Sequence, residues 1–578
     1  NNLFIQDAFG SFIFPDVEAF RAKTPSFYAI SYANTDITGG DMRPRAAWSM
    51  LQTGWYISDE WDIVDNLKVI AGLRVDVPIF FDTPYRNDTL TKRFPGFSTD
   101  RLPTNNFLFA PRIGFNYNVL DDKSLIIRGG TGIFTGRVPA VWISNQFSNT
   151  GMDILRSELG TRGANQRVIR VNDQDFIFPI DNNYANNPLV PGDSLYPGQP
   201  IRTSVINLTD QNFKLPQTWR STLGFDHKLS NSITLTMEGM YSRNINEVTV
   251  SNMNLRPSQR LATSPIDGRP LYATARQDSL RAKEFTQVIL LGNRSEGYQY
   301  SFSSQISLDS RNTYIPGLSA LVSYTFGRAY DLMDGQNSTA LSIWSNTDAI
   351  DPNNAQLGRS SFDIPHRIMA NISYNYEWTK DIKSTIGIFY SGNSGEPYSL
   401  VYNGDINGDG FATNDLIYIP KRADYGTKII VQKPSAGTDL RSAEQIFDQF
   451  MQFVEGNPTL NEYQGRVLPR NAMRSPWRHI LDLRITQTIP SFTGDKIEFT
   501  FDIQNLLNLF NADWGWQQEV LLGSHSIVDI ATTPFDNQNR LVLTNFLDPT
   551  TANSGQGIYR TDNLFSRWRM QLGMRYTF

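Results

Sequence analysis

The last fourteen residues, Phe565 to Phe578, alternate in polarity. Trp568, Met570, Leu572, Met574, Tyr576 and Phe578 are apolar, while Arg567, Arg569, Gln571, Arg575 and Thr577 are polar. Successive strand side chains point to opposite faces, so this period of two marks a β-strand with one greasy side. The sequence stops on an aromatic residue at the end of that strand. A strand of this kind fits a transmembrane antiparallel β-barrel, whose strands turn apolar residues to lipid and polar ones to the lumen. The expected class is therefore all-β.

Composition narrows the choice. A closed sheet can use 578 residues without dividing into domains. Aromatic residues make up 12% and recur near strand ends, where interfacial girdles sit. The mean hydropathy of -0.36 suits a barrel, because only every second strand residue meets lipid. No apolar run approaches the roughly 18 residues that a spanning helix needs, which excludes a helical membrane protein. The chain has no cysteine and four histidines, His227, His366, His479 and His525, so zinc and haem chemistry are not expected. A net charge of -5 without a long basic run argues against nucleic acid as a partner. No feature points to an enzyme. Asn1 to Phe4 carry no basic or apolar leader, so an exported chain starting there is expected to be mature, processed or truncated.

Long strands around tight polar turns form the repeating unit. The expected hairpins are Trp48 to Trp61 with Leu67 to Val77, Phe107 to Val119 with Ser124 to Gly136, and Pro216 to Leu229 with Ser232 to Thr249. Three more follow: Phe285 to Leu308 with Leu318 to Arg328, His366 to Tyr376 with Ile382 to Tyr390, and Pro476 to Ile489 with Lys496 to Leu509. With Phe27 to Asn34 and the final strand this gives about fourteen strands, and Phe4 to Phe14 is a candidate fifteenth. Long segments at about 137–215, 329–365, 391–475 and 510–564 separate the hairpins. Tight turns on the periplasmic side and long loops outside are the expected arrangement in a Gram-negative outer membrane.

Several segments, in order, resemble a known family. Gln52-Thr53-Gly54-Trp55-Tyr56-Ile57-Ser58-Asp59-Glu60-Trp61 with Ile70-Ala71-Gly72-Leu73-Arg74-Val75-Asp76 is similar to a hairpin of TonB-dependent receptors. Ala110-Pro111-Arg112-Ile113-Gly114-Phe115, Arg128-Gly129-Gly130-Thr131-Gly132-Ile133-Phe134 and Asp502-Ile503-Gln504-Asn505-Leu506-Leu507-Asn508 resemble further segments of the same family. Leu215-Pro216-Gln217-Thr218-Trp219-Arg220 and Gly404-Asp405-Ile406-Asn407-Gly408-Asp409-Gly410 resemble its Oar-like, OmpA-related members. The resemblance implies a barrel of about 22 strands, an N-terminal plug with a TonB box, and active solute uptake driven by the TonB complex. The whole of 1–578 then reads as the C-terminal part of such a barrel, lacking the plug and first strands. A surface lipoprotein is a further candidate partner, one that the helix opened by Ser442 could engage. Two alternatives stay open: a self-contained passive channel of fourteen strands, and a structural or partner-binding surface protein.

One local motif carries metal chemistry. Asp405, Asn407 and Asp409 are spaced by two and followed by Gly410, matching the first half of an oxygen-lined Ca²⁺ loop, with Phe411, Thr413 and Asp415 completing the candidate ligands. The twelfth position is Leu416, so the bidentate glutamate is absent. The other reading is an Asp/Asn/Gly turn satisfied by its own backbone.

Other motifs read as structural. Gly392-Asn393-Ser394-Gly395-Glu396-Pro397 reads as a tight turn rather than a nucleophile segment, and Gly129, Gly130 and Gly132 as sites of close strand packing. Ser442 with Gln445 forms a capping box for a helix through Val454, expected to dock on neighbouring loops. Trp142, Trp344, Trp514 and Trp516 are expected to be packing anchors.

Overall fold

The computed structural model describes residues 7, 10–104, 106–137, 139–160, 167–171, 174–175, 203–273, 280–309, 315–335, 337–433, 439–548 and 557–578. Its main element is one antiparallel sheet in which consecutive long strands are neighbours. These strands are β1 (Met50–Val64), β2 (Leu67–Phe80), β3 (Leu108–Asn118), β4 (Leu125–Thr135), β5 (Gln217–Lys228), β6 (Ile233–Asn244) and β7 (Tyr298–Leu308). They continue as β8 (Leu318–Asp331), β9 (His366–Glu377), β10 (Lys383–Asn393), β11 (Arg478–Pro490), β12 (Lys496–Gln504) and β13 (Arg569–Thr577). Gly358–Arg359 adds a short fourteenth strand beside β8. No pairing of β1 with β13 occurs among the described residues.

The register carries the alternation around the sheet. Phe115 pairs across to Val69 and Gly129, Ile372 to Ala320 and Ile388, and Leu572 to Phe501, so one continuous face is apolar. Trp55, Ile57, Leu223, Phe302, Val322, Phe499 and Met574 on that face are exposed, as lipid-facing residues are. Aromatic girdles border it. At one end Trp219, Tyr241, Tyr298 and Tyr330 lie edge to edge or stacked, and at the other Tyr374, Tyr376 and Trp378 do the same. The opposite face is polar. Arg74 pairs with Asp76 at 2.7 Å, Arg128 with Asp226 at 3.1 Å and Glu238 at 2.6 Å, and Arg484 with Asp502 at 2.6 Å. These arginines and acids, which include parts of the family-like segments, thus line the lumen.

Glycines let the strands approach as expected. A Cβ on Gly132 would stand 2.7 Å from that of Arg112, and one on Gly129 2.9 Å from the Phe115 ring. Gly395 is equally crowded, with the Ser475 carbonyl 2.2 Å from its missing Cβ, and His366 N–H donates to the neighbouring Ser394 hydroxyl at 3.2 Å. The Gly392 to Pro397 segment is a packed turn.

All tight turns lie at one end of the sheet and all long connections at the other. The structure corrects the expected strands in three places. Phe27–Ala33 does not enter the main sheet: it is buried between Ser11–Ile13 and Ile154–Gly160 in a separate three-stranded sheet. Of Phe4 to Phe14, residues 4–6, 8 and 9 lie outside the described residues, and among the described ones Ser11–Ile13 is a strand. The long strands expected at Ser232 to Thr249 and Phe285 to Leu308 each break. After Asn244 and before Tyr298 the chain leaves the sheet, and Glu247–Asn252 pairs with Phe285–Arg294 instead. Both breaks leave a mark: the apolar positions change from odd (Tyr241, Ile245) to even (Val248, Val250) at the first, and Asn293 to Gly297 interrupt the apolar pattern at the second.

The connections build a cap. Pro397–Asn403 runs parallel to Ser524–Phe535, which pairs with Leu541–Phe546, which runs parallel to Ile429–Val431. Helix α1 (Ala443–Gly456) covers this sheet, with Phe450 stacking on Phe546 at 5.2 Å and Phe447 on Tyr425 at 4.7 Å. Its capping box forms as expected: Ser442 Oγ accepts from Gln445 N–H at 3.1 Å, and Ser442 N–H donates to the Gln445 side chain at 2.7 Å. Trp344 is fully buried and Trp142 nearly so, whereas Trp514 and Trp516 are exposed; only the first two act as anchors in the core.

Candidate functional site

The mouth of the sheet meets the cap through charged pairs. The buried Asp363 carboxylate accepts Ala329 N–H at 2.9 Å and pairs with Arg328 at 3.3 Å and Arg474 at 2.5 Å. Arg478, at the head of β11, reaches Glu396 at 3.0 Å and Glu519 at 3.9 Å. Arg328 and Arg478 tie strand ends to connections, and Asp363 with Arg474 ties two connections together, so the cap is anchored by charge as well as by its apolar core.

Above this collar lies a cavity of about 650 Å³ lined by Asp334, Asp348, Phe362, Glu396, Thr413 and Arg470, among others. Its walls come from three separate connections. Arg470 is only 5% exposed. Its Nη2 donates to the Asp331 backbone and carboxylate, and its Nη1 stands 3.7 Å from Asp334. Its Nε and Nη1 have no hydrogen-bond acceptor. Both atoms are enclosed by protein, with Nε against Gly358, so Arg470 brings positive charge to the cavity wall rather than free donors turned into it. Asp348 lines the cavity and is half-buried. Desolvation pushes its carboxyl up to about 7, opposed by a Ser399 hydrogen bond and by the nearby Arg470. Burial likewise raises the Asp334 carboxyl, which Arg470 pulls back down. The cavity therefore offers both a cationic group and acids of adjustable charge.

The Ca²⁺-like segment sits behind one wall of this cavity. Asp405 caps a tight loop: its oxygens accept Gly408 N–H at 2.6 Å, Asp409 N–H at 3.2 Å and Gly410 N–H at 2.8 Å. Gly408 and Gly410 take φ of 79° and 96°, which a side chain would resist. Asn407 Oδ1 accepts Asp409 N–H at 2.8 Å, and Asp409 Oδ1 accepts Phe411 N–H at 2.9 Å. Phe411 packs edge-on against Trp344 at 5.5 Å, and Thr413 lines the cavity. Asp415 is fully buried. It accepts from Arg269 Nη1 at 3.0 Å and from Ile406 N–H at 3.1 Å, and Arg269 also bonds Asp267 at 2.8 Å. The structure thus gathers Asp405, Asn407 and Asp409 into one loop and assigns Asp415 to a buried ion-pair triad. Among the described residues no group of three or more His, Cys, Asp or Glu side chains is arranged as a metal shell.

Sequence reasoning missed Arg269, Asp348 and Arg470. Arg269 pairs with Asp415 146 residues on and Arg470 with Asp331 139 residues back, while Asp348 meets Ser399 and Arg470, so no local spacing marks them.

No curated protein matches the chain. Among solved structures it is similar to the outer membrane transporter YddB from Escherichia coli, at 10% identity and TM-score 0.42, over 91% of this chain and 45% of that one. It is also similar to the siderophore receptor PirA from Acinetobacter baumannii, at 8% identity and TM-score 0.37, over 83% and 47% of the two chains. A third is the copper transporter OprC, at 9% identity and TM-score 0.37, over 90% and 53%. The chain spans about half the length of these proteins. The family model described as an outer membrane beta barrel domain matches residues 8–515, most of the sequence. With its lipid-facing band, polar lumen and aromatic girdles, the chain belongs to the outer membrane β-barrel domain family and lies in the outer membrane of a Gram-negative bacterium.

Proposed function

We propose that the chain is the barrel portion of a TonB-dependent outer-membrane receptor of the Oar-like kind, which binds a solute beneath its cap and takes it up actively. The observation that carries this reading is the cavity itself, which opens between connections at the mouth of a polar-walled sheet and is lined by Arg470 together with Asp334, Asp348 and Glu396. A passive pore is served by an open mouth, whereas here packed loops with their own hydrophobic core cover it. In this reading the long connections are extracellular, strands beyond β1 and β13 complete the wall, and a plug supplies the link to TonB.

The test compares solutes depleted from medium by three isogenic strains: wild type, one lacking this gene, and one lacking TonB. Depletion of the same solute lost in both mutants supports active uptake. Uptake that survives TonB loss, together with steady conductance of the natural protein in lipid bilayers, overturns it in favour of a channel.

A further inference from the structure

The aromatic girdle at the capped end is interrupted by positive charge. Arg328 lies between Phe326 and Tyr330 on the lipid-facing side of β8: it pairs across to Tyr300, and its guanidinium sits 5.7 Å over the Phe326 ring. Arg359 pairs across to Tyr330 and so shares that face. The buried Asp363 holds Arg328 at 3.3 Å and Arg474 at 2.5 Å. Burial pulls the Arg474 guanidinium down from its ordinary value; Asp363 opposes this, while Arg359 and Arg328 add like-charge repulsion. Three arginines against one carboxylate leave two positive charges in excess. Of Arg328 and Arg359 only the Nη1 atoms meet acceptors, Asp363 and the Ala472 carbonyl. Their other nitrogens have none among the described residues, and unlike those of Arg470 they are not enclosed. Open guanidinium donors of this kind suit a phosphate, which accepts two at once.

We infer that this patch docks the phosphate of a phosphorylated, acylated glycolipid of the outer leaflet, whose chains lie along the apolar face of the sheet. The patch is continuous with the lipid-facing band, so whatever binds there also meets apolar wall. A soluble anion gains nothing from that wall; a lipid gains from both. Beside the arginines the surface is built for the same level of the membrane. Tyr324, His366, Trp477, His479 and Tyr390 stand in file from β8 to β11, neighbouring rings 5.8–6.2 Å apart and no more than 20° from parallel. Amphipathic rings of this kind sit at headgroup depth. Each histidine Nδ1 is 2.8 Å from a tyrosine hydroxyl, Tyr324 for His366 and Tyr390 for His479. Where the hydroxyl donates to Nδ1, Nε2 keeps its proton and is left to donate to a headgroup oxygen.

The arginines also tie this face to the cap. Arg474 Nη1 donates to the Asp363 and Gly395 carbonyls at 2.8 and 2.9 Å, and Arg359 Nη1 to the Ala472 carbonyl at 3.0 Å. A phosphate held here therefore braces the two connections that carry Asp363 and Gly395 against the leaflet. The inference rests on the capped end facing outward, with tight turns on the periplasmic side, and not on the uptake reading.

The experiment incubates the natural protein, purified in mild detergent, with bis-phosphorylated lipid A, with its phosphate-free form or with phosphatidylglycerol, and counts bound lipid by native mass spectrometry. Saturable retention of the phosphorylated glycolipid above the other two is expected. Arg328→Gln together with Arg359→Gln should weaken it about 25-fold, at about fivefold for each arginine lost beside an anionic headgroup. If that pair does not fold, Arg359→Gln alone keeps a donor for the Ala472 carbonyl and should weaken retention about fivefold. Arg220→Gln removes the same charge next to Trp219 of the girdle but on the lumen face, and should leave retention unchanged. Equal retention of the phosphate-free lipid or of phosphatidylglycerol by wild type overturns the site without any variant. Equal binding by wild type and the arginine variants, or an equal loss in Arg220→Gln, also overturns it. Complete competition by inorganic phosphate does so as well, in favour of a soluble anion.

Discussion

Leu223→Arg probes the membrane face of the sheet directly. Leu223 sits midway along β5, paired across to Gly129 and Gly239, so no neighbouring side chain shields it and it is 59% exposed. Trp219, in the girdle, lies four residues away on the same face. At a rise of about 3.3 Å per residue and a tilt of roughly 40°, those four residues span about 10 Å along the membrane normal. In an apolar band about 25 Å tall this places Leu223 near the midplane, beyond the reach of an arginine snorkelling to the interface. Arginine there is expected to cost about 2–4 kcal/mol, against about 0–1 kcal/mol for Trp219→Arg at the girdle. Thr222→Arg is the control, because the adjacent residue faces the polar lumen. Urea unfolding of the natural protein from lipid vesicles, followed by tryptophan fluorescence, gives the three stabilities. Equal losses for Leu223→Arg and Thr222→Arg would refute the assignment of faces.

Three further outcomes are expected. Arg269→Ala strands the buried Asp415 and Asp267 carboxylates and should lower cap stability by about 3–5 kcal/mol, visible as faster hydrogen exchange over 397–431. Replacement by Met together with Asp415→Asn should recover much of that loss, and failure to do so would argue that the charge itself is not what matters. The Asp348 carboxyl has a folded pKa of about 7, above its ordinary 3.8, so its contribution is full below the lower value and is lost as pH rises through 7. Asp348→Asn should therefore be more stable than wild type by about 2 kcal/mol at pH 8, half the full shift because the cavity admits water, with the difference shrinking steadily below pH 7 and vanishing below about pH 4. A pH-independent difference would exclude the titration. Ser442→Ala removes the cap of α1 and should cost about 1 kcal/mol, while Ser442→Asp should cost nothing measurable.

The wall of the barrel was legible because each strand repeats one rule, lipid on one side and water on the other, at a period that short windows display. The capping box of α1 was legible for the same local reason. The cap was not. Pro397–Asn403 finds its parallel partner at Ser524–Phe535, more than a hundred residues on, and nothing in either segment names the other. The strand Phe27–Ala33 shows how this misleads: its apolar character was real, but it is buried in a small separate sheet rather than turned to lipid. The Ca²⁺-like spacing identified a real loop around Asp405, Asn407 and Asp409. It did not show that Asp415 belongs to Arg269, because an ion pair across 146 residues leaves no mark on local spacing.

Direction of travel along the sheet has an arithmetical consequence. Since β1 enters its first tight turn after Val64, it runs from the capped end to the turn end, and every later strand reverses. The thirteenth, β13, therefore runs the same way as the first. Laid edge to edge, β1 and β13 would be parallel, whereas single-chain bacterial barrels close antiparallel with an even count. Under the receptor reading, in which further strands complete the wall, their number would be odd, and such an insert would enter at the turn end and leave at the capped end.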